Sequence, residues 1–311
     1  MHTVLAGGVG AARYLQGALE AFDPASVTAV VNVADDVVLH GLSISPDLDT
    51  CTYTLAGAID PTRGWGLVNE TWQAMAELGR YGGDDWFGLG DRDLGTHLYR
   101  TARLHAGATL TEVTAEITNA WGLECRLVPV TNDRVETRVK LAEGGEIGFQ
   151  EYFVGRAHNV AVRSIDFRGA DAAAPTAIAM NAITSADAVV IAPSNPIVSI
   201  GPILAVPGIK DAVSARRDSV VAVSPIVGGA ALKGPADRML RELGHDSSVV
   251  GVARLYRDLA ATLVIDEVDT DLAEAVEAEG MHPIVVPTIM SQPGVAKALA
   301  LACHAAAGAK P

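Results

Sequence analysis

The stretch TVLAGGVGAARYLQGALEAFDPASVTAVV, residues 3–31, decides the fold that we predict for this chain. Apolar residues 3–5 predict a short strand, and glycines follow it at positions 7, 8 and 10. Residues 11–19 have the apolar spacing of a helix, and residues 27–31 predict a second strand. This order predicts a βαβ unit, in which the two strands are parallel and the crossover is right-handed.

Alternating strands and helices return after about residue 175. Strands are predicted at residues 188–191, 220–223, 263–265 and 284–286. The middle of the chain predicts helices, then a strand at CRLVPV (125–130) and a hairpin about the turn at 143–145. We therefore predict an α/β fold: a Rossmann-like, doubly wound, mainly parallel sheet formed by residues 1–60 and 175–311, with an inserted helical and β-hairpin region at 61–174 that covers the site.

The composition bounds the class of partner. Of 311 residues, 49% are hydrophobic and 19% are charged, which is typical of a folded α/β protein. The net charge of −14 argues against extensive contact with nucleic acid or an anionic membrane, because both require basic patches. A small anionic ligand is compatible with this charge, since backbone N–H groups, a few arginines and a cation can hold it. We expect no nucleic-acid or membrane partner, and we expect a homo-oligomer.

The cysteines and the N-terminus indicate the compartment. Cys51, Cys125 and Cys303 are odd in number, widely spaced and without metal-type pairing, as in a reducing cytoplasm. No basic region precedes a long apolar run at the N-terminus, and no apolar segment reaches the roughly 20 residues that cross a bilayer. We therefore expect a cytoplasmic protein.

Small, polar or glycine-rich turns follow four of the predicted strands. These turns are residues 7–10 (GGVG), 32–36 (NVADD), 193–196 (PSNP) and 224–229 (SPIVGG). In an open α/β sheet, ligands bind beyond the carboxyl ends of the strands, where glycines let the backbone approach and helix N-termini attract phosphate. One such turn is weak support, but four at one edge predict a nucleotide or diphosphate site.

The first turn matches neither common nucleotide-binding pattern. It lacks the G-x-x-x-x-G-K-[ST] of a P-loop, and Arg13 stands where G-x-G-x-x-G requires its third glycine. Arg13 therefore predicts a cation beside a phosphate, with a solvated helix residue as the alternative. The missing glycine and the position of Asp35, too far along for a ribose contact, disfavour an NAD-dependent oxidoreductase.

Five aspartates in residues 32–60 predict the chemistry of the site. They are Asp35, Asp36, Asp47, Asp49 and Asp60. Too few apolar residues separate them for one amphipathic face, and phosphoryl transfer needs carboxylates as Mg²⁺ ligands and as a base. The alternative is local bonding in turns, above all for Asp35 and Asp36. Asp47 and Asp49 are two residues apart, so an extended loop would point them to opposite sides and leave one as ligand or base.

Two further predictions concern Asp60 and the cluster Gly90-Asp91-Arg92-Asp93. Asp60, before Pro61, is either functional or a helix-end residue. Arg92 could hold a phosphate or a polar ring, or the cluster is a capping turn in which Asp93 starts a helix at Gly95. The histidines lack the i, i+4 spacing of a zinc helix, so we interpret four as ordinary structural or surface residues: His40, His97, His105 and His282.

Six motifs occur together along the chain: GGVG (7–10) with Arg13, NVADD (32–36), SPDLDT (45–50), LGDRD (89–93), PSNPI (193–197) with SIGP (199–202), and VSPIVG (223–228). In this order they resemble the 2-phospho-L-lactate transferase family of coenzyme F420 biosynthesis. The resemblance runs from residue 3 to at least residue 235, and the set is far more specific than any one motif. The family's first turn often has threonine at the position of Val9 and lysine at that of Arg13.

The resemblance implies an Mg²⁺-dependent enzyme. It would transfer a phosphoenolpyruvyl or 2-phospho-L-lactyl group from a guanosine diphosphate-linked donor to the ribityl hydroxyl of the deazaflavin Fo, releasing GMP. Lysine is scarce beside arginine, as in GC-rich genomes, which makes an actinobacterial source and the phosphoenolpyruvyl donor plausible. The alternative is a regulatory protein of the same fold that binds a nucleotide sugar without turnover.

The resemblance also implies roles for individual residues. Asp47 and Asp49 would be catalytic, Asp49 and Asp60 would hold the metal, and Arg92 would contact Fo. The donor's phosphates and guanosine would be held by Gly7, Gly8, Gly10, Arg13, Asn32, Ser194, Asn195, Ser224 and Gly228.

Overall fold

A computed structural model describes residues 1–308 of the chain. Its strands are β1 (His2–Ala6), β2 (Val27–Val31), β3 (Val37–Leu39), β4 (Leu42–Ile44), β5 (Arg126–Pro129), β6 (Glu136–Leu141), β7 (Glu146–Gly148), β8 (Val162–Arg168), β9 (Ala188–Ile191), β10 (Val220–Val223), β11 (Ile226–Val227), β12 (Ala230–Ala231), β13 (Thr262–Ile265) and β14 (His282–Val285). Seven of them form one sheet in the order β14-β13-β10-β9-β1-β2-β5, and every neighbouring pair is parallel. The predicted Rossmann-like fold is confirmed.

Helices flank this sheet. The helices of the described residues are α1 (Gly8–Ala21), α2 (Pro46–Leu55), α3 (Gln73–Arg80), α4 (Asp93–His105), α5 (Leu110–Ala120), α6 (Ala177–Ser185), α7 (Gly201–Ala205), α8 (Ile209–Ser214), α9 (Ala236–Glu242), α10 (Val249–Tyr256), α11 (Ala273–Ala278) and α12 (Val295–Ala306). Every residue of β1, β2, β9, β10 and β13 is buried. Strands without an exposed face are typical of a parallel sheet that helices cover on both sides.

The opening βαβ unit forms as predicted. β1 pairs in parallel with β2, from His2 opposite Val27 to Ala6 opposite Val31. The connecting helix α1 then packs closely on α12 at Gly17, where an added Cβ would lie 2.2 Å from the carbonyl carbon of Ala296. The first helix is thereby held against the last one.

Smaller antiparallel sheets lie outside the main one. The predicted hairpin about residues 143–145 is present as β6 and β7, and β8 pairs with the other edge of β6. The prediction was wrong for residues 126–129, which were placed in the inserted region but form the edge strand β5 of the main sheet beside β2. The apolar run of β5 directly precedes the hairpin in sequence, and local pattern does not show which strand it pairs with. The rest of the division into core and inserted region stays a prediction, and residues 309–311 of the predicted core lie outside the described part.

Two further observations concern the cysteines and the lengths of the helices. Cys51, Cys125 and Cys303 are all buried and free. Within residues 1–308 there is no helix with the length and apolar character needed to cross a bilayer. A cytoplasmic location and a homo-oligomeric state stay predictions.

The contact at Gly17 gives a stability prediction. Gly17→Ala should lower the free energy of unfolding by about 1–3 kcal/mol, because the new methyl group would overlap the backbone of α12. Gly79→Ala in α3 is the matched control: no atom lies within 4 Å of its added Cβ, so it should stabilise the protein by up to about 1 kcal/mol. Urea denaturation of both variants measures this, and a Gly17→Ala protein as stable as the wild type would contradict the close packing.

Candidate active site

The carboxyl ends of β1 and β9 meet at the centre of the sheet. The chain proceeds from β1 to β2 on one side, whereas β9 lies on the other, so this is the topological switch point at which such sheets bind ligands. Ser194, after β9, donates from Oγ to the carbonyl oxygen of Gly7 at 2.7 Å. An added Cβ at Gly10 would lie 2.1 Å from the carbonyl oxygen of Pro193. The glycine turn and the 193–196 turn are therefore packed against each other, as predicted from their positions after the strands.

Asp47 and Asp49 lie in the first turn of α2 and not in an extended loop. Pro46 occupies the first helical position, where its missing N–H costs nothing, and acidic residues are favoured at this end by the helix dipole. Successive helical residues are about 100° apart, so the two carboxylates still point in nearly opposite directions. The pair therefore faces two different surroundings.

Asp47 faces the glycine turn. Its Oδ2 accepts a hydrogen bond of 3.0 Å from Asn32 Nδ2, and an added Cβ at Gly7 would lie 2.9 Å from the same oxygen. Asn32 is fully buried and also accepts from the N–H of Ala34 at 2.9 Å, which fixes its amide. Burial raises the pKa of Asp47 to about 6, although hydrogen bonds from Asn32 and from the N–H of Gly8 lower it. The glycine turn, Asn32 and Asp47 thus form one contact group.

Asp35 and Asp36 lie close enough to Asp47 for its charge to act on both. Asp36 accepts a hydrogen bond of 2.6 Å from Ser45 Oγ, and each of the two carboxyls has one buried oxygen without a hydrogen-bond partner among the described residues. Burial first, and then the charge of Asp47, raise the pKa of Asp35 well above its ordinary value. The two residues lie in a turn, as the alternative interpretation expected, but their unpaired buried oxygens are not explained by local bonding.

Asp49 faces α4. Arg100, only 2% exposed, donates from Nη1 to Asp49 Oδ2 at 3.0 Å and from Nη2 to Oδ1. His97 Nδ1 lies 3.8 Å from Asp49 Oδ2, and His97 Nε2 lies 3.3 Å from Asp93 Oδ2. Asp49, Asp93 and His97 could together supply metal ligands, since one ligand atom from each lies within 4.8 Å of the others. The guanidinium of Arg100, however, already bonds both oxygens of Asp49.

The interpretation of His97 as an ordinary residue missed this cluster, and it also missed Arg100. His97 is 1% exposed and lies between two carboxylates. Asp93, His97 and Arg100 are spaced i, i+4, i+7 in α4 and so lie on one helix face. A polar stripe at helical spacing was the available signal, and the search for zinc spacing between histidines alone passed over it.

Asp60 and Arg92 each bond their own loop. Asp60 Oδ1 accepts from the N–H groups of Thr62 and Arg63, both at 2.9 Å, and Oδ2 lies 3.0 Å from Arg63 Nη2. Arg92 is exposed and donates from Nη1 to the carbonyl oxygen of Val68. The helix after it begins at Asp93 and not at Gly95, and Glu70 accepts hydrogen bonds from the N–H groups of Arg92 and Asp93 at this helix start.

The other residues predicted to bind the donor substrate lie along the same edge of the sheet. Asn195 Oδ1 accepts from the N–H of Ile197 at 2.9 Å, and Ser224 Oγ bonds both the N–H and the carbonyl oxygen of Ile226. The N–H of Gly228 donates to Asp269 at 3.0 Å, so a phosphate would have to displace that carboxylate. These side chains shape the turns, and their binding roles stay predictions.

Among residues 1–308, no side-chain hydrogen bond joins Arg13 to the glycine turn. It lines a cavity of about 240 Å³ between α1 and the start of α12, together with Lys297 and Gln292. The predicted contact of Arg13 with a phosphate beside Gly7–Gly10 stays a prediction.

Comparison with known proteins assigns the chain to a family. The sequence profile of 2-phospho-L-lactate transferase CofD matches residues 3–296. The chain belongs to this family. It is therefore an enzyme of coenzyme F420 biosynthesis that transfers a phosphoenolpyruvyl or phospholactyl group, as the motifs predicted.

Individual relatives agree with the CofD assignment. The chain is 47% identical to the phosphoenolpyruvate transferase of Nocardia farcinica, covering 93% of this chain and 90% of the relative. It is 42% identical to the enzyme of that name from Mycobacterium avium, covering 99% of each, and 45% identical to that of Streptomyces griseus, covering 96% and 95%. A solved structure of a Bacillus halodurans protein has a TM-score of 0.62 at 17% identity over 97% of this chain and 98% of that chain, which shows a shared fold.

The raised pKa of Asp47 predicts how stability changes with pH. The folded carboxyl binds its proton more tightly than the unfolded one, so its contribution is complete below the ordinary pKa of 3.8 and is lost as the pH rises through about 6. Asp47→Asn lacks this titration. Between pH 4 and pH 7 its free energy of unfolding should therefore rise relative to that of the wild type by up to about 3 kcal/mol. Urea denaturation at both pH values measures the difference. Asp84→Asn, at an exposed aspartate, is the control, and a gain for Asp47→Asn that is independent of pH would contradict the assignment.

Proposed function

We propose that this enzyme transfers a phosphoenolpyruvyl group from a guanosine diphosphate-linked donor to the ribityl hydroxyl of Fo, releasing GMP. The observation that carries the proposal is the position of Asp47 and Asp49, which leave one helical turn between the glycine turn on one side and α4 on the other. A phosphate-type turn and a carboxylate on each side of one helix supply the donor contacts and the base that an in-line transfer needs. The donor acid is proposed because three relatives compared above are named phosphoenolpyruvate transferases.

We place the two substrates on different sides of the site. The N–H groups of the glycine turn, at the start of α1, suit the diphosphate of the donor. The hydroxyl of the acceptor attacks the distal phosphorus, a new phosphorus–oxygen bond forms, and the bond to the bridging oxygen of GMP breaks. Asp49 accepts the hydrogen bond of the attacking hydroxyl and is the first acceptor of its proton, which then passes to water. Arg92, on the loop before α4, is proposed to contact the ring of Fo.

The acidic group beside the glycine turn suits a divalent cation. Asp47 is buried with a raised pKa, and Asp35 has a buried oxygen without a partner beside it. A cation would remove the repulsion between these carboxylates, and oxygen ligands of this kind are those that Mg²⁺ prefers. We propose that Asp47 and Asp35 hold Mg²⁺, which would neutralise charge on the diphosphate when bound. The pair Asp49 and Asp60 stays the prediction from the resemblance, and in this structure both carboxylates have arginine partners.

The reaction itself tests the proposal. Wild-type protein incubated with Fo, the phosphoenolpyruvyl donor and Mg²⁺ should release one GMP for each Fo modified, and chelation by EDTA should stop the release until Mg²⁺ is restored. A protein that binds the donor but releases no GMP would support the regulatory alternative instead.

Asp49 gives a second test. Asp49→Ala should lower the rate of GMP release by about 100-fold or more while the fold is kept, because it removes the acceptor of the hydroxyl proton. Circular dichroism checks the fold, and chromatography of GMP measures the rate. Turnover at the wild-type rate by a folded Asp49→Ala protein would remove Asp49 from the mechanism.

A further inference from the structure

Arg100 is a fully charged side chain in the interior of the protein. It is 2% exposed, and its pairing with Asp49 engages both terminal nitrogens. Nη1 also lies 3.4 Å from the carbonyl oxygen of Ser43, whereas Nε has no hydrogen-bond partner among the described residues. A buried ion pair is commonly no more stabilising than apolar residues of the same volume. Stability alone therefore gives little reason for a guanidinium at this position.

Two polar contacts join α4 to α2, and the pairing of Arg100 with Asp49 is one of them. Arg100 of α4 holds Asp49 in the first turn of α2, and one turn further along α2, Tyr53 donates from its hydroxyl to Asp93 Oδ1 at 2.5 Å. His97 lies between the two contacts, with Nδ1 3.3 Å from Arg100 Nη1 and Nε2 3.3 Å from Asp93. The two polar contacts lie four residues apart in α2 and seven residues apart in α4. The orientation of the Asp49 carboxylate is thereby set by α4.

We infer that Arg100 is a positioning residue of the transfer reaction, which holds the Asp49 carboxylate in one orientation for the hydroxyl of the acceptor. The inference rests on the proposed function. A carboxylate has about four lone-pair sites, and the fork of an arginine occupies only two of them in a fixed plane. The remaining lone pairs of Asp49 are left to receive the acceptor in a defined direction.

Arg100→Lys is the first test, because lysine keeps the charge and loses the planar fork. The turnover number should fall about 10- to 100-fold, since a misplaced group can cost about that much. The KM for the donor should change little, because the donor is held on the other side of the site. Arg103→Lys is the matched control: it lies three residues further along α4, on the surface, paired with Glu116, and should turn over like the wild type.

A double-mutant comparison separates positioning from a structural role. If Arg100 acts through Asp49, then Asp49→Asn combined with Arg100→Lys should lose no more turnover than Asp49→Asn alone. Independent losses that multiply would overturn the inference. If Arg100→Lys fails to fold, Tyr53→Phe is the test instead. This change keeps the ring and removes the hydrogen bond to Asp93. It should lower turnover several-fold without changing the KM for the donor. Wild-type turnover by Tyr53→Phe in that case would also overturn the inference.

The outcomes distinguish this inference from the proposed function. A wild-type protein that releases no GMP from this donor and Fo overturns the proposed function, and the inference falls with it. A wild type that turns over, beside a folded Arg100→Lys protein that turns over at the same rate, overturns the inference alone.

Discussion

The candidate site depends on the close approach of three chain segments at the glycine turn. An added Cβ at Gly7 would lie 2.8 Å from Cβ of Ser199 and 2.9 Å from Asp47 Oδ2, and one at Gly10 would overlap the carbonyl oxygen of Pro193. No side chain fits at either position. Bare backbone therefore forms this surface, and a carboxylate can lie directly against the start of α1, where the helix dipole favours negative charge.

Burial then gives neighbouring aspartates different properties. Asp47 is held by an amide and an N–H group, and its pKa is raised, whereas Asp49 lies against a guanidinium. The rotation of about 200° between them in the first turn of α2 produces this separation. Carboxylates that are crowded and incompletely bonded are unfavourable for folding, and such arrangements are typical of functional sites because a ligand can relieve them.

The sequence predicted the parts of the structure that local pattern controls. The strands at residues 27–31, 188–191 and 220–223 begin and end where the apolar runs do, and the turns that follow them form the edge where we expected a site. Contacts between residues far apart in sequence could not be predicted from local pattern. A sequence separation of 51 positions hid the contact between Asp49 and Arg100. The strand β5 was placed in the inserted region because its partner β2 lies almost 100 residues earlier. Asp60 bonds Arg63 three residues away, which short-range turn chemistry allowed as an alternative.

The place of β5 beside β2 has a mechanical meaning. Residues 32–125, with α2, α3, α4 and α5, leave the sheet at the end of β2 and return to it at β5, its direct neighbour. Adjacent strands are only about 4.8 Å apart, so both ends of this segment are anchored to neighbouring strands of the same sheet. A segment attached at two such points is unable to swing about a single linker as a hinged domain would. Any movement of this segment over the sheet would then come from bending of its own loops, with the sheet and its carboxyl edge staying still.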